Sequence, residues 1–255
     1  MPALFLGHGN PMNAIESNSW TETWRALGAG LPRPRAILAV SAHWYLPGTR
    51  VTAQQQPPTM HDFGGFPRAL YEVAYPAPGS PQLAGQVRDL LAPVNVFLDT
   101  DWGLDHGVWS LLVHVYPVAD IPVVQLAIDE TLADEEHFDL AQGLRALRDD
   151  GVLILGSGNV VHNLHTYAWG RKETEPYDWA ARFETRLRSL IDSDDLAEVA
   201  ARDDMGPDAA LAAPTPEHFL PLLYVLAQKL PDEPVTYPVT GFDGGSVSML
   251  GVRVG

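Results

Sequence analysis

The chain has 255 residues, 46% of them hydrophobic, no cysteine, and 32 acidic against 16 basic side chains, a formal net charge of −16. This length suits one α/β domain or two small ones, long enough for a sizeable core, and the apolar content argues against a disordered chain. The missing cysteine excludes disulfides, thiolate zinc sites, iron–sulfur clusters and cysteine nucleophiles, and so acidic a surface argues against nucleic-acid and anionic-membrane partners.

Ala3 to Leu6 is a short apolar run that stops at Gly7, with His8 standing between two glycines. A buried strand there puts His8 at its carboxyl end, the edge where open α/β sheets bind ligands. After a polar loop, Ser19 is expected to cap a helix with Glu22 in capping-box position and Trp20, Trp24 and Leu27 on one face, ending over Gly28 to Pro34. Ala36 to Val40 reads as the second strand and runs into Ser41, Ala42, His43 and Trp44. Residues 44–79 are rich in proline, glycine and aromatics, with a strand over Arg50 to Ala53; long irregular segments in compact domains are usually functional. Pro81 opens a helix that reaches Leu91, followed by a strand from Val94 to Leu98, a buried helix from Val108 to Val115 and a strand from Val123 to Ile128. Leu132 to Arg148 reads as one amphipathic helix with apolar positions 140, 144 and 147. Val152 to Leu155 is a further strand, leading through Gly156, Ser157, Gly158 and Asn159 to His162. A polar helical segment from Tyr177 to Arg202, an apolar helix from Phe219 to Leu230 and a strand from Ser246 to Val254 complete the chain.

Alternating strands and helices predict a single α/β domain over residues 1–255. Its central sheet is expected to be largely parallel, with helices on both faces and the metal site at the carboxyl ends of the strands. No charged-then-apolar leader opens the chain and no apolar run is long enough to cross a bilayer, so a soluble, cytoplasmic protein is expected.

Three strand candidates thus run through small residues into a histidine: His8, His43 and His162. The repeated pattern predicts convergence on one metal, with His162 as a ligand or just behind one. Of Glu217 and His218, before the apolar helix, only one is expected to face a given centre. His106 would serve as a proton donor held by a carboxylate such as Asp105. His61 marks a substrate loop, His165 and His114 read as supporting or core residues, and His137, beside three acidic residues, as solvated helix surface. Trp44, Phe63, Phe66 and Tyr71 are candidate walls for an aromatic guest. There is no HExxH, no GxSxG and no dinucleotide fingerprint, and the Gly156–Asn159 turn has neither the lysine nor the spacing of a P-loop. An imidazole-rich site without thiolates suits zinc or non-haem iron(II).

Several stretches carry a resemblance: Leu6 to Met12, Ser41 to Trp44, His61 to Pro67, Tyr75 to Gly79, Asp105 to Gly107, Ser157 to Leu164 and Pro214 to His218. In this order they resemble the 4,5-DOPA extradiol dioxygenase group of the class III, LigB-type, extradiol ring-cleaving dioxygenases, over essentially the whole chain. The resemblance implies a mononuclear metal held by His8 and His43, with His162 as ligand or catalytic base and His218 at the remaining histidine position. The chain departs here from the superfamily pattern of two histidines and one glutamate, for which Glu217 is the candidate.

The resemblance further implies ring opening of a catechol, DOPA- or caffeate-like, by O2 at iron(II). His162 and His106 would be the acid–base pair, and His61, Trp44, Phe63 and Phe66 would meet the substrate. A zinc-dependent hydrolase of amides or esters and a non-catalytic metal-binding protein are the alternative readings.

Overall fold

The computed structural model describes residues 1–171 and 173–255. In chain order the elements are β1 (Ala3–Gly7), α1 (Ser19–Gly30), β2 (Ala36–Leu46), β3 (Arg50–Thr52), α2 (Arg68–Tyr71), α3 (Pro81–Leu90), β4 (Phe97–Asp99), α4 (His106–Val115), β5 (Val123–Asp129), α5 (Asp134–Gln142) and α6 (Ala146–Asp149). The second half adds β6 (Val152–Gly158), α7 (Asp178–Asp192), α8 (Leu196–Ala200), α9 (Ala209–Ala212), α10 (Leu220–Leu226), β7 (Val235–Val239), β8 (Phe242–Asp243), β9 (Val247–Ser248) and β10 (Gly251–Val254).

Eight strands form one sheet in the order β4-β3-β5-β2-β6-β1-β10-β7, and β8 and β9 form a separate pair. The centre is parallel: β2 pairs with β5 and β6, and β6 with β1. Towards the edges β10 and β7 run antiparallel, as do β3 and β5. The sheet is therefore mixed around a parallel core. Its central strands open on apolar runs because both faces are covered, and most of their polar residues gather towards the carboxyl ends. In β1, Ala3 and Phe5 join the core packed by α3, α7 and α10, whereas Leu4 and Leu6 join the core packed by α1 and α4.

Several elements differ from the sequence expectation. Asn18, not Ser19, caps α1: its side chain accepts from the Trp20 and Thr21 amides, while the Thr21 hydroxyl accepts from the Asn18 backbone amide. The expected 132–148 helix is divided, because around Gly143 the backbone tightens into three-residue hydrogen bonds such as Leu144 to Ala141 and Leu147 to Leu144. The 177–202 segment is likewise two helices, and the 246–254 strand is divided into β9 and β10; β7 carried no recognised signal. His137 is wholly buried, not solvated: α5 packs on α10, and the His137 ring meets the Tyr224 hydroxyl at 2.9 Å. Among the described residues no helix is long and apolar enough to cross a membrane.

Candidate metal centre

His8 follows the last residue of β1, and its amide donates to the Gly158 carbonyl at the end of β6. His43 lies inside β2, which runs past its expected end at Val40. Between Val40 and Tyr45 the register with β5 slips, so that five steps along β2 match two along β5. Such bulges re-aim side chains beside functional sites, and this one holds Ser41 and His43. His218 stands just before α10 and is drawn onto β6. Its carbonyl accepts from the Asn159 amide at 2.8 Å, and a Cβ on Gly158 would fall 2.2 Å from that oxygen. A Cβ on Gly156 would fall 2.5 Å from the Pro221 carbonyl. The small residues of this turn are thus space for α10, not a phosphate cradle.

These three imidazoles face one another. The Nε2 atoms of His8 and His43 are 3.2 Å apart, and the His218 ring lies 5.4 Å from His8 and 5.2 Å from His43. Burial, and then the neighbouring imidazoles, hold His8 and His218 well below the usual imidazole range; burial and then His106 bring His43 down to about 3. The rings are therefore neutral at pH 7 and offer lone pairs. A spacing of 3.2 Å is less than twice a metal–imidazole bond of about 2.0–2.1 Å, so both lone pairs can reach one cation. His218 Nδ1 donates to Glu217 Oε1 at 3.1 Å, an outer partnership common for metal-bound imidazoles. The donor set of neutral imidazoles without thiolate fits zinc or iron(II).

His162 stacks on His218, centroids 3.6 Å apart and planes 8° from parallel, and burial pushes it down to about 4. His106 begins α4, its ring 3.9 Å from that of His43. Its carboxylate partner is Asp62, not Asp105. Asp62 Oδ1 accepts from the His106 amide at 2.8 Å and Oδ2 from His106 Nδ1 at 2.9 Å, with His43 Nδ1 3.5 Å from the same Oδ2. Burial works to raise the Asp62 carboxyl, but its contacts with His106 and His43 outweigh this and leave it below the usual range. Asp105 instead caps α4 and binds the Ser41 hydroxyl and the Gln125 amide. Three overlapping sets among the described residues have metal-ligand spacing: His8, His43 and His218; His43, Asp62 and His106; and His162, Glu217 and His218.

A cavity of about 270 Å³ opens above these histidines, walled by Pro11, Phe66, Leu164, Tyr167, Trp169 and Val247. Of the expected aromatic walls, Phe66 reaches it. Trp44 is buried and stacked on Trp102 at 5.4 Å, so its ring is spent inside the fold. Phe63 sits one layer behind, packed edge-on against His106 and Phe66. Tyr71 packs on Phe63 and His61. His61 meets the Val73 carbonyl at 3.0 Å through Nε2. His165 is exposed on the loop after His162, and His114 is buried against the Asn13 carbonyl.

Nothing local marks Asp62, one residue beyond His61, as the partner of His106. Nor does a periodic pattern mark Leu164, Tyr167 and Trp169, which follow His162, as cavity walls. The aromatic pair Tyr167 and Trp169 so close to a site histidine was the available signal.

Residues 4–237 match the family described as the catalytic LigB subunit of aromatic ring-opening dioxygenase. The chain is 52% identical over 260 residues to a 4,5-DOPA dioxygenase extradiol of Escherichia coli K12, covering 100% of this chain and 95% of that one. It is 38% identical over 252 residues to a protein of the same name from Beta vulgaris, covering 96% and 93%. A crystal structure of an uncharacterized protein from E. coli K12 superposes with a TM-score of 0.88 at 46% identity, over 100% of both chains. The chain belongs to the LigB family of aromatic ring-opening dioxygenases and is an enzyme of the 4,5-DOPA dioxygenase extradiol-like kind.

Proposed function

We propose that residues 1–255 act as one catalytic domain that opens the ring of a catechol, DOPA- or caffeate-like, with O2 at an iron(II) held by His8, His43 and His218. The observation that carries this reading is the convergence of three neutral imidazoles beneath an aromatic-lined cavity. Bound iron(II) would supply coordination positions for the two catechol oxygens and for dioxygen, and a path for electrons between them.

The chain's own residues do the rest. Phe66, Leu164 and Trp169 hold a flat ring between apolar surfaces and exclude water from it. His162, neutral and beside His218, accepts a proton from a catechol hydroxyl. His106, fixed through its amide and Nδ1 by Asp62, presents its Nε2 side towards the centre as the second proton carrier. The bond broken joins one hydroxyl-bearing carbon to the neighbouring ring carbon that bears none, and one atom of O2 goes to each, leaving a carboxylate and an aldehyde.

The test is to load the protein anaerobically with iron(II), add L-DOPA or caffeic acid, and then admit oxygen. A yellow semialdehyde absorbance is expected. Bound iron without that absorbance rejects the proposal. His162→Gln should retain iron and lower kcat by about 10²–10⁴-fold, the usual worth of a general base; unchanged kcat would remove His162 from the role.

A further inference from the structure

We infer that Ser157 is a positioning residue that sets which nitrogen of His8 carries hydrogen, and thereby leaves the Nε2 lone pair facing His43. The inference rests on the ligand role proposed for His8.

The argument is one of counting hydrogens. A serine hydroxyl has a single hydrogen to donate. Ser157 Oγ lies 2.6 Å from the Gly107 carbonyl oxygen, which only accepts, so the hydrogen lies between those two oxygens. The same Oγ is 3.0 Å from His8 Nδ1. With its hydrogen committed, the hydroxyl accepts there, and Nδ1 must be the donor. A neutral imidazole has one N–H, so His8 Nε2 is bare. Ser157 is wholly buried and His8 is only 2% exposed, which keeps water from offering Nδ1 a competing partner.

The surroundings hold this relay in place. Ser157 pairs with Leu6 in the β6–β1 ladder, two residues before His8. Gly107 sits in the first turn of α4, and a Cβ there would fall 2.8 Å from both the His43 ring and the Ser41 hydroxyl. Only a residue without a side chain brings this carbonyl to Ser157. On the other side, Asp62 Oδ2 faces His43 Nδ1, favouring hydrogen on that nitrogen and a bare Nε2. Two bare nitrogens then stand 3.2 Å apart, an arrangement that repels by itself and that a shared cation relieves. Without the Ser157 acceptor, His8 gains by moving its hydrogen to Nε2 and donating it to His43, which closes the centre to a cation.

The experiment follows the His8 ring nitrogens by ¹⁵N NMR in metal-free, histidine-labelled protein, with Zn²⁺ affinity measured by competition with a chromophoric chelator. In the unaltered protein His8 should carry hydrogen on Nδ1. Ser157→Ala should shift His8 to the Nε2–H form and weaken Zn²⁺ about 10–100-fold, as losses of a ligand's outer partner do. Ser157→Thr, which keeps the hydroxyl, should restore both, and thermal unfolding of each variant separates this from a general loss of fold. The inference is overturned if His8 carries hydrogen on Nε2 in the unaltered protein. It is equally overturned if folded Ser157→Ala keeps the Nδ1–H form with Zn²⁺ affinity within about twofold. These readouts need neither oxygen nor a catechol, so an inactive iron-loaded enzyme with the expected tautomer would reject the dioxygenase proposal and leave this one standing.

Discussion

At the residue scale the centre depends on atoms that are absent as much as on those present. Gly158 lets the His218 carbonyl come close enough for the Asn159 amide, and any Cβ there would meet that oxygen at 2.2 Å. Gly158→Ala is therefore expected to cost about 1–3 kcal/mol, the range for overpacking a tight core, and to weaken Zn²⁺ binding by moving His218. Urea unfolding and chelator competition measure the two effects; a variant unchanged in both would show that α10 can slide away freely. Asn159 adds to the same junction. Its side chain accepts from the Gly9 amide and donates to the Ser248 carbonyl, joining the loops after β1 and β6 to β9. Neighbouring residues divide their work: His61 turns to Val73 while Asp62 turns to His106, and Glu217 holds the Nδ1 of His218.

At the scale of elements, two segments behave differently from their sequence pattern. The loop after His162 places Trp169 over the cavity with 71% of its surface exposed, edge-on to Tyr167 at 4.8 Å. Its ring is available to be covered by a bound guest, and Tyr167 is anchored by its hydroxyl to Asp243. Trp169→Ala is expected to raise KM for a side-chain-bearing catechol about tenfold while kcat stays within about twofold, the signature of lost uniform binding; steady-state kinetics with iron(II) enzyme decide it.

The second segment is α5, which buries His137 against Tyr224 on α10. Burial lowers this imidazole to about 4. Between about pH 6.5 and pH 4 the unfolded chain takes up a proton that the folded one refuses, so stability is full above that window and falls as pH drops through it. The fall for one such group is about 1.4 kcal/mol per pH unit. In metal-free protein, His137→Phe should flatten the slope of unfolding free energy against pH over this window. An unaltered slope would mean that His137 is protonated in the fold.

At the scale of the whole molecule, the proposed ligands come from three distant places in the chain: the end of β1, the bulge of β2 and the segment leading into α10. A cation shared by them ties together segments that the unfolded chain keeps apart. Metal binding should therefore stabilise the entire fold. At a free Zn²⁺ concentration of about 100 times Kd the gain is expected to be about 2.7 kcal/mol, read as a rise in Tm that chelator reverses. His43→Ala should unfold at the same temperature with and without the metal. A metal-dependent Tm that survives this change would place the cation elsewhere.

Local pattern sufficed for the strands that cross the core, because burial on both faces writes a run of apolar residues into β1, β2, β5 and β6 whatever lies beyond them. It sufficed too for placing His8 at a strand end, since a strand stops where its own residues change. Local pattern could not say that β2 continues through a bulge, that Asp62 rather than Asp105 holds His106, that His137 is buried, or that Trp44 faces inward while Trp169 covers the cavity. Each of these depends on a partner from far along the chain: β5, α4, α10, Trp102, the site histidines. In a loop or a bulge a single residue step reverses where a side chain points, and only packing between distant segments selects the direction.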